Sequence, residues 1–154
     1  MFRLFAAVIV VMILVPPASG AEQFNFLKLE ASPYLQLHSK DPVKWRPWNK
    51  KYLGEARSQK KPIFLSIGYL ACHWCHVMRR ESFSDAAVAA RINEDFFPIL
   101  IDREELPAVD DYFQTAMAAL NLPSGWPLNV VLTPAAQPIW GGAYFPLEPG
   151  GGSP

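Results

Sequence analysis

The chain has 154 residues, 51% of them hydrophobic and 18% charged, which suits one globular domain with a buried core and excludes a multidomain enzyme. Its 14 basic and 14 acidic residues leave no net charge, so electrostatics give no reason to expect nucleic acid as a partner. Charge runs and repeats are absent from the sequence, which argues against disorder, a coiled coil or a solenoid. The two cysteines, Cys72 and Cys75, concentrate any redox or metal chemistry at one position.

Residues 1–20 have the pattern of a secretory signal peptide. Arg3 gives a short basic start, residues 4–15 are continuously apolar, and prolines followed by small residues end the segment. A membrane-spanning helix needs roughly 20 apolar residues, so the shorter run favours cleavage over anchoring. We expect a periplasmic or secreted protein that begins at Ala21 or Glu22 and has no membrane association after cleavage.

The first half of the mature chain is predicted to contain an N-terminal loop segment (residues 21–47, called the lead-in), then a helix and a strand. Residues 21–47 are interrupted by three prolines, so we expect loops whose aromatic side chains pack on the domain. Residues 48–60 place apolar side chains at helical spacing and end in cations before a proline, which predicts a helix. Residues 62–67 form an apolar run ended by Gly68, which predicts a strand buried on both faces.

Two further helices and a strand follow the cysteines. Ser84 is predicted to cap a helix, and residues 96–101 form a second apolar run of strand length. Pro107 suits the first turn of another helix, which carries Asp110 and Asp111 near its positive end. The apolar stripes of these helices are Val88, Ala89 and Ile92 in the first, and Val109, Tyr112, Phe113, Ala116, Met117 and Leu120 in the second.

The chain closes with a predicted hairpin. Residues 128–133 and 138–140 are short strand candidates separated by four residues, a spacing that suits an antiparallel pair. Strands joined by helices and finished by a hairpin predict an α/β fold in which helices flank a mixed sheet, as in thioredoxin-like domains.

The motif Cys72-His73-Trp74-Cys75 falls at the turn from the first predicted strand into a helix. Backbone N–H groups and the dipole at a helix start favour a thiolate, so we expect Cys72 to be the exposed, activated nucleophile. Two intervening residues bring Cys75 within reach of a mixed disulfide on Cys72, which it can resolve. His73 either stabilises the thiolate as a cation or faces solvent, and Trp74 either offers a docking surface or packs against the lead-in.

The same string, followed by His76, also satisfies the pattern of covalent c-type haem, and a signal peptide suits that chemistry. His76 would then be the proximal ligand, with Met78 or Met117 on the far side. The flanking runs at 62–67 and 96–101 argue against haem, because they predict a sheet where a small haem domain needs surrounding helices.

Zinc and inert cysteines are the remaining interpretations of the pair. Neighbouring Cys and His side chains cannot all converge tetrahedrally, and only His38 remains to complete a zinc site from elsewhere. The close spacing of the cysteines after a strand argues against inert structural thiols. We therefore expect no metal and no cofactor.

Several short segments occur in an order and spacing shared with a known family. They are residues 32–35, 41–45, 61–69, 72–78, 81–83, 101–105, 125–130 and 141–146. Over about residues 24–147 the sequence resembles the thioredoxin-like domain of spermatogenesis-associated protein 20-type proteins. The resemblance implies a thioredoxin fold with a paired-cysteine site, for a family whose physiological substrate is poorly defined.

The resemblance also implies roles around the cysteines. A cis bond between Trp126 and Pro127 would lie against the pair, and both residues, with Trp74, are expected to bind substrate. Ser66 occupies the strand position where many thioredoxins keep a buried acid, which suggests different proton handling here. Tyr69 is expected to modulate the site, as are His73 and His76.

The sequence departs from the family pattern at its end. Family members usually continue into a closing helix and a large helical-barrel domain, whereas residues 148–154 read as a flexible Gly/Pro tail. Either the sequence is a fragment, or residues 21–147 form a single domain that lacks the closing helix and leaves one sheet face open to a partner. Residues 102–105 are read as a local ion-pair cluster rather than as part of the site.

We therefore expect a thiol-disulfide oxidoreductase acting on protein or small-molecule thiols and disulfides. The alternative is a binding domain that keeps the fold and uses an aromatic surface around Trp45, Trp48, Trp74 and Trp126.

Overall fold

The computed structural model describes residues 25–147, which form a five-stranded mixed sheet with helices on both faces. The expected signal peptide and the expected tail from residue 148 lie outside these residues. The helices are α1 (Pro33–Leu37), α2 (Lys50–Gln59), α3 (His73–Met78), α4 (Ala86–Asp95) and α5 (Pro107–Ala119). The strands are β1 (Arg46–Pro47), β2 (Ile63–Gly68), β3 (Phe97–Asp102), β4 (Leu128–Leu132) and β5 (Pro138–Gly142).

The strands lie in the order β1, β3, β2, β4, β5. The first three are parallel, and β4 runs antiparallel to both β2 and β5. The β2–β3 register pairs Ile63 with Phe97 and Gly68 with Asp102, so these two strands end at the same edge of the sheet. The predicted α/β, thioredoxin-like class is confirmed, as are both buried strands and the closing hairpin.

The lead-in contains a short helix and a short strand, whereas its prolines predicted only loops. Ser32 caps α1 by accepting a hydrogen bond from the Leu35 N–H at 3.1 Å, and Pro33 occupies the first turn, where a missing N–H costs nothing. The short strand β1 adds a parallel edge to β3. Tyr34 and Trp45 are buried, so the expectation that the lead-in aromatics pack on the domain is confirmed for these two.

The predicted cap at Ser84 is wrong by one residue. The Asp85 carboxylate caps α4 by accepting from the Val88 N–H at 2.9 Å. The Ser84 hydroxyl instead donates to the Arg79 carbonyl oxygen at 2.8 Å and closes a single π-helical turn, Arg79–Phe83, that continues α3. Ser84 is the C-cap of the π-helical turn, so Asp85 is the residue that directly precedes the first turn of α4.

Two apolar layers enclose the sheet. On one face α2 and α5 pack against the sheet through Ala56, Phe113 and Met117, whereas Tyr112 and Leu120 of the predicted stripe are 56% and 46% exposed. The other face is covered by α1, α3 and α4. An apolar groove remains there, lined by Phe64, Met78, Phe83, Val88, Ile92 and Leu147. The expectation that a partner uses this face stays a prediction.

Within residues 25–147 no helix combines the length and the apolar character needed to cross a membrane.

Candidate functional site around the cysteine pair

The two cysteines lie just after the end of the β2 strand, at the edge of the sheet. The strand ends at Gly68, and four residues later Cys72 is the N-cap of α3. The Cys72 sulfur accepts a hydrogen bond from the Cys75 N–H at 3.1 Å. Cys72 and Cys75 are joined in a disulfide with their Cα atoms 5.3 Å apart. The exposed fractions of these two residues are 4% and 2%, so the expectation of an exposed Cys72 is wrong for this oxidised form.

Gly68 forms the floor beneath the pair. A β-carbon at this position would lie 2.8 Å from the Cys75 Sγ and would overlap the Tyr34 hydroxyl, so only glycine leaves room for both groups. Tyr34 is completely buried, and its pKa is raised far above the usual range by burial and by the negative charges of Asp102 and Asp41. The Tyr34 hydroxyl therefore stays protonated and can serve as a hydrogen-bond donor.

Two aromatic rings and a cation form a wall at this edge of the sheet. The rings of Tyr69 and Trp126 meet edge to face with centroids 5.8 Å apart. The Arg103 guanidinium lies 4.0 Å from the Trp126 ring centroid and 5.6 Å from that of Tyr69. The Trp126–Pro127 bond is cis, as the family resemblance implied, and Pro127 is buried.

A buried carboxylate on α5 anchors this wall. Asp110 is fully buried and accepts from the Trp126 indole N–H at 3.0 Å and from the Gln114 amide at 3.1 Å. Its second oxygen lies 3.1 Å from the Arg103 Nε. Gln114 also holds Gly125 through the backbone N–H at 3.0 Å and the carbonyl oxygen at 3.3 Å. Two side chains of α5, Asp110 and Gln114, thus fix the segment that carries the cis proline.

The sequence does not predict this anchor, because the position of Asp110 near the start of α5 indicates only a favourable charge at the positive end of the helix. Asp110, Phe113 and Met117 recur at helical spacing and are all buried, so the position within the apolar stripe was the available signal. The ion-pair interpretation of residues 102–105 is also wrong for Arg103, whose partner comes from α5. Asp102 is held separately by the Ser32 hydroxyl at 2.6 Å.

The side chains within α3 have different surroundings. His73 is exposed with its ring 5.5 Å from that of Trp74, and Trp74 packs on Tyr144, with centroids 5.0 Å apart, rather than on the lead-in. The His76 Nε2 donates to the Leu70 carbonyl oxygen at 2.6 Å and so ties α3 to the loop before Cys72. These contacts keep the helix start and its approach loop together.

The arrangement does not fit covalent haem. The two sulfurs bond each other, and the His76 nitrogen that would face iron is directed at a backbone carbonyl. The two candidate methionines, Met78 and Met117, belong to apolar layers on opposite faces of the sheet.

Zinc likewise finds no set of ligands in the described region. His38 is buried and its Nδ1 lies 2.6 Å from Asp41, which also pairs with Arg79 at 2.9 Å. Burial lowers the pKa of His38, against the opposing effect of the Asp41 hydrogen bond. Within residues 25–147 no three His, Cys, Asp or Glu side chains converge where they could hold a metal ion.

Ser66 lies on the same face of β2 as Gly68, beneath α3. It is fully buried, and among the described residues its hydroxyl has no hydrogen-bond partner. Its register partner Asn129 donates to the Met78 sulfur at 3.3 Å. By resemblance, many thioredoxins carry a buried acid at the position of Ser66. In this chain the position holds a neutral hydroxyl, and its neighbour Asn129 is also neutral.

The tryptophans proposed as one binding surface do not form one. Trp45 is fully buried beneath the α3 face, and Trp48 packs on Phe113 on the opposite face, with ring centroids 5.7 Å apart. Only Trp74 and Trp126 remain as half-buried indoles that contact residues around the cysteine pair.

Comparison with known proteins places this geometry in a family. Residues 24–154 match the model of Thioredox_DsbH, described as "Protein of unknown function, DUF255". Spermatogenesis-associated protein 20 of Rattus norvegicus is 46% identical over 135 residues, covering 88% of this chain and 17% of the relative. The Homo sapiens protein of the same name is 48% identical over 126 residues, covering 82% of this chain and 16% of the relative.

A solved structure supports the fold. A structure titled "DsbH Oxidoreductase" superposes with a TM-score of 0.51 at 19% identity, covering 71% of this chain and 76% of that one. The chain spans about a sixth of the length of the curated relatives it matches. The resemblance found in the sequence is confirmed, and the chain belongs to the Thioredox_DsbH (DUF255) family, with a thioredoxin-like fold and a Cys72–Cys75 disulfide.

Proposed function

We propose that this domain is a thiol-disulfide oxidoreductase in which Cys72 is the nucleophile and Cys75 the resolving cysteine. The observation that carries the proposal is the disulfide between these residues at the junction of β2 and α3. The Cys75 N–H already donates to the Cys72 sulfur, and this hydrogen bond would strengthen on a thiolate. Protein or small-molecule thiols and disulfides are the substrates.

The exchange needs no cofactor. A substrate thiolate attacks the Cys72 sulfur, which forms a mixed disulfide and releases Cys75 as a thiolate. A second substrate thiolate then attacks the substrate sulfur, so the substrate leaves as a disulfide and its two electrons stay in the dithiol. The reverse sequence reduces a substrate disulfide and ends when Cys75 attacks Cys72.

The substrate would bind along the wall beside the pair. Trp126, Pro127 and Trp74 supply the apolar contacts, and Asp110 holds the Trp126 indole in place before a substrate arrives. Tyr69 supports the Trp126 ring. His73 is exposed next to Cys72 and can place positive charge near its sulfur, while His76 holds the approach loop through Leu70.

A binding domain without turnover is the second candidate, and the low exposure of both cysteines favours it. In that case the disulfide would be structural, and the remaining tryptophan contacts at Trp74 and Trp126 would serve a partner. Residues 1–20 support secretion or a periplasmic location for either function.

Single-cysteine variants separate the two functions. With insulin as the disulfide substrate and dithiothreitol as reductant, Cys72→Ser should abolish catalysed exchange, and Cys75→Ser should accumulate a mixed disulfide visible by mass spectrometry. Catalysed exchange that persists in Cys72→Ser would contradict the oxidoreductase. The binding domain would be supported by two results together: the wild-type protein does not catalyse exchange, and removing its disulfide only lowers stability.

A further inference from the structure

A buried tyrosine hydroxyl that the exchange steps above do not use lies near the Cys75 sulfur, beside Gly68. The Cys75 Sγ and the Tyr34 hydroxyl both border the space that a β-carbon on Gly68 would occupy. Tyr34 is 1% exposed and Cys75 is 2% exposed, so bulk water has little access to the space between them. We propose that Tyr34 is a positioning residue whose hydroxyl donates a hydrogen bond to the Cys75 sulfur when the disulfide opens.

The proposed hydrogen bond forms because opening the disulfide changes the Cys75 sulfur. A disulfide sulfur is a weak acceptor, whereas a thiolate is a charged acceptor that binds an O–H donor much more tightly. Burial and the neighbouring carboxylates keep Tyr34 protonated, so its hydroxyl remains a donor throughout. The hydrogen bond therefore stabilises Cys75 as a thiolate more than it stabilises the disulfide.

The surrounding charged groups have partners of their own. The titratable and charged groups that act on Tyr34 or on its ring neighbour His38 are Asp41 in the lead-in, His76 on α3, Arg79 in the π-helical turn and Asp102 at the end of β3. Arg79 pairs with Asp41, and the Ser32 hydroxyl donates to Asp102, so each carboxylate is already engaged. Ser66 lies on the same face of β2 and carries no charge. Tyr34 is thus a neutral donor placed to act on the thiolate directly.

The inference rests on the proposed function and identifies the step that Tyr34 serves. When a substrate thiolate attacks Cys72, the S–S bond breaks and Cys75 leaves with the bonding pair, while Tyr34 keeps its proton and shares it in a hydrogen bond. In the reverse direction the Cys75 thiolate attacks Cys72, and the substrate sulfur departs as a thiolate that takes a proton from solvent.

The test measures the ionisation of Cys75 without needing turnover. In a Cys72→Ser background, carbon-13 on the cysteine β-carbon reports the pKa of the single remaining thiol by NMR. Adding Tyr34→Phe should raise that pKa by about one, the equivalent of one charge-assisted hydrogen bond. Tyr112→Phe, which removes a hydroxyl from the exposed side of α5, is the matched control and should leave it unchanged.

A second measurement leaves Tyr34 in place, in case the phenylalanine variant does not fold. With carbon-13 at the tyrosine ζ-carbon, the Tyr34 signal in Cys72→Ser should shift at the pH where Cys75 ionises. An unchanged Cys75 pKa in Tyr34→Phe, or a Tyr34 signal that ignores the Cys75 ionisation, overturns the inference. Both readouts are independent of exchange activity, so failure of the proposed function would show separately, in the insulin assay.

Discussion

The indole N–H of Trp126 donates a hydrogen bond to the fully buried carboxylate of Asp110 at 3.0 Å, across 16 residues of sequence. The same carboxylate meets the Arg103 guanidinium, which lies over the Trp126 ring. A buried charge is tolerated only when such partners compensate for lost hydration. The loop that carries Pro127 is therefore attached to α5 by a charged group rather than by apolar packing alone.

Asp110→Asn should destabilise the domain by about 1–3 kcal/mol, because the amide removes the charge that the Arg103 and Trp126 donors face. Chemical denaturation monitored by tryptophan fluorescence measures the loss. Asp111→Asn is the control, since the neighbouring Asp111 side chain is exposed and its replacement should change stability by less than about 0.5 kcal/mol. Equal effects of the two substitutions would contradict the anchoring role.

Gly68→Ala should destabilise the domain by about 1–3 kcal/mol, because the added methyl group meets the Tyr34 hydroxyl and the Cys75 sulfur in a closed core. The control is Gly54→Ala on the exposed side of α2, where a β-carbon meets nothing within 4 Å. That change should instead stabilise by about 0.5–1 kcal/mol, because alanine favours the helix. Urea midpoints of both variants measure the contrast, and a neutral Gly68→Ala would be inconsistent with the packing described.

His38 should make the domain less stable as the pH falls below about 6.5, the usual pKa of histidine. Burial lowers the pKa of His38 in the folded state, so the unfolded chain takes up a proton there before the folded chain does. The stability is complete above the unfolded pKa and declines by up to about 1.4 kcal/mol per pH unit until the folded pKa is reached.

His38→Gln tests this dependence, because glutamine keeps a donor for Asp41 without titrating. The free energy of unfolding, measured by urea titration between about pH 8 and 5, should fall less steeply in the variant than in wild type. Parallel curves for the two proteins would show that His38 does not control stability in this range.

Expression with the leader in a secretion-competent host should yield protein that begins at Ala21 or Glu22, because residues 1–20 contain a short apolar core followed by small residues. Terminal sequencing by mass spectrometry identifies the start, and a chain that begins at Ala21 serves as the size control. Membrane-embedded protein that retains Met1 would contradict the expectation.

The sequence predicted the helices and strands whose formation depends on the pattern of neighbouring residues. The strands Ile63–Gly68 and Phe97–Asp102 are mostly apolar, because both faces of these strands are buried. Apolar periodicity predicted α2 and α5. The spacing of Cys72 and Cys75 defined the candidate redox pair, because one turn of helix brings such residues together.

The surroundings of the pair were decided only by tertiary structure. Tyr34 comes from α1 and Asp110 from α5, and neither carries a local signal that points to the cysteines. Ser32 reaches Asp102 across 70 residues, and β1 becomes a strand only because β3 offers a free edge. Sequence alone determined which sulfurs can pair, since both cysteines lie within four consecutive residues. The folded chain determined which donors surround them, because pairings between distant segments depend on strand order and helix placement rather than on neighbours in sequence.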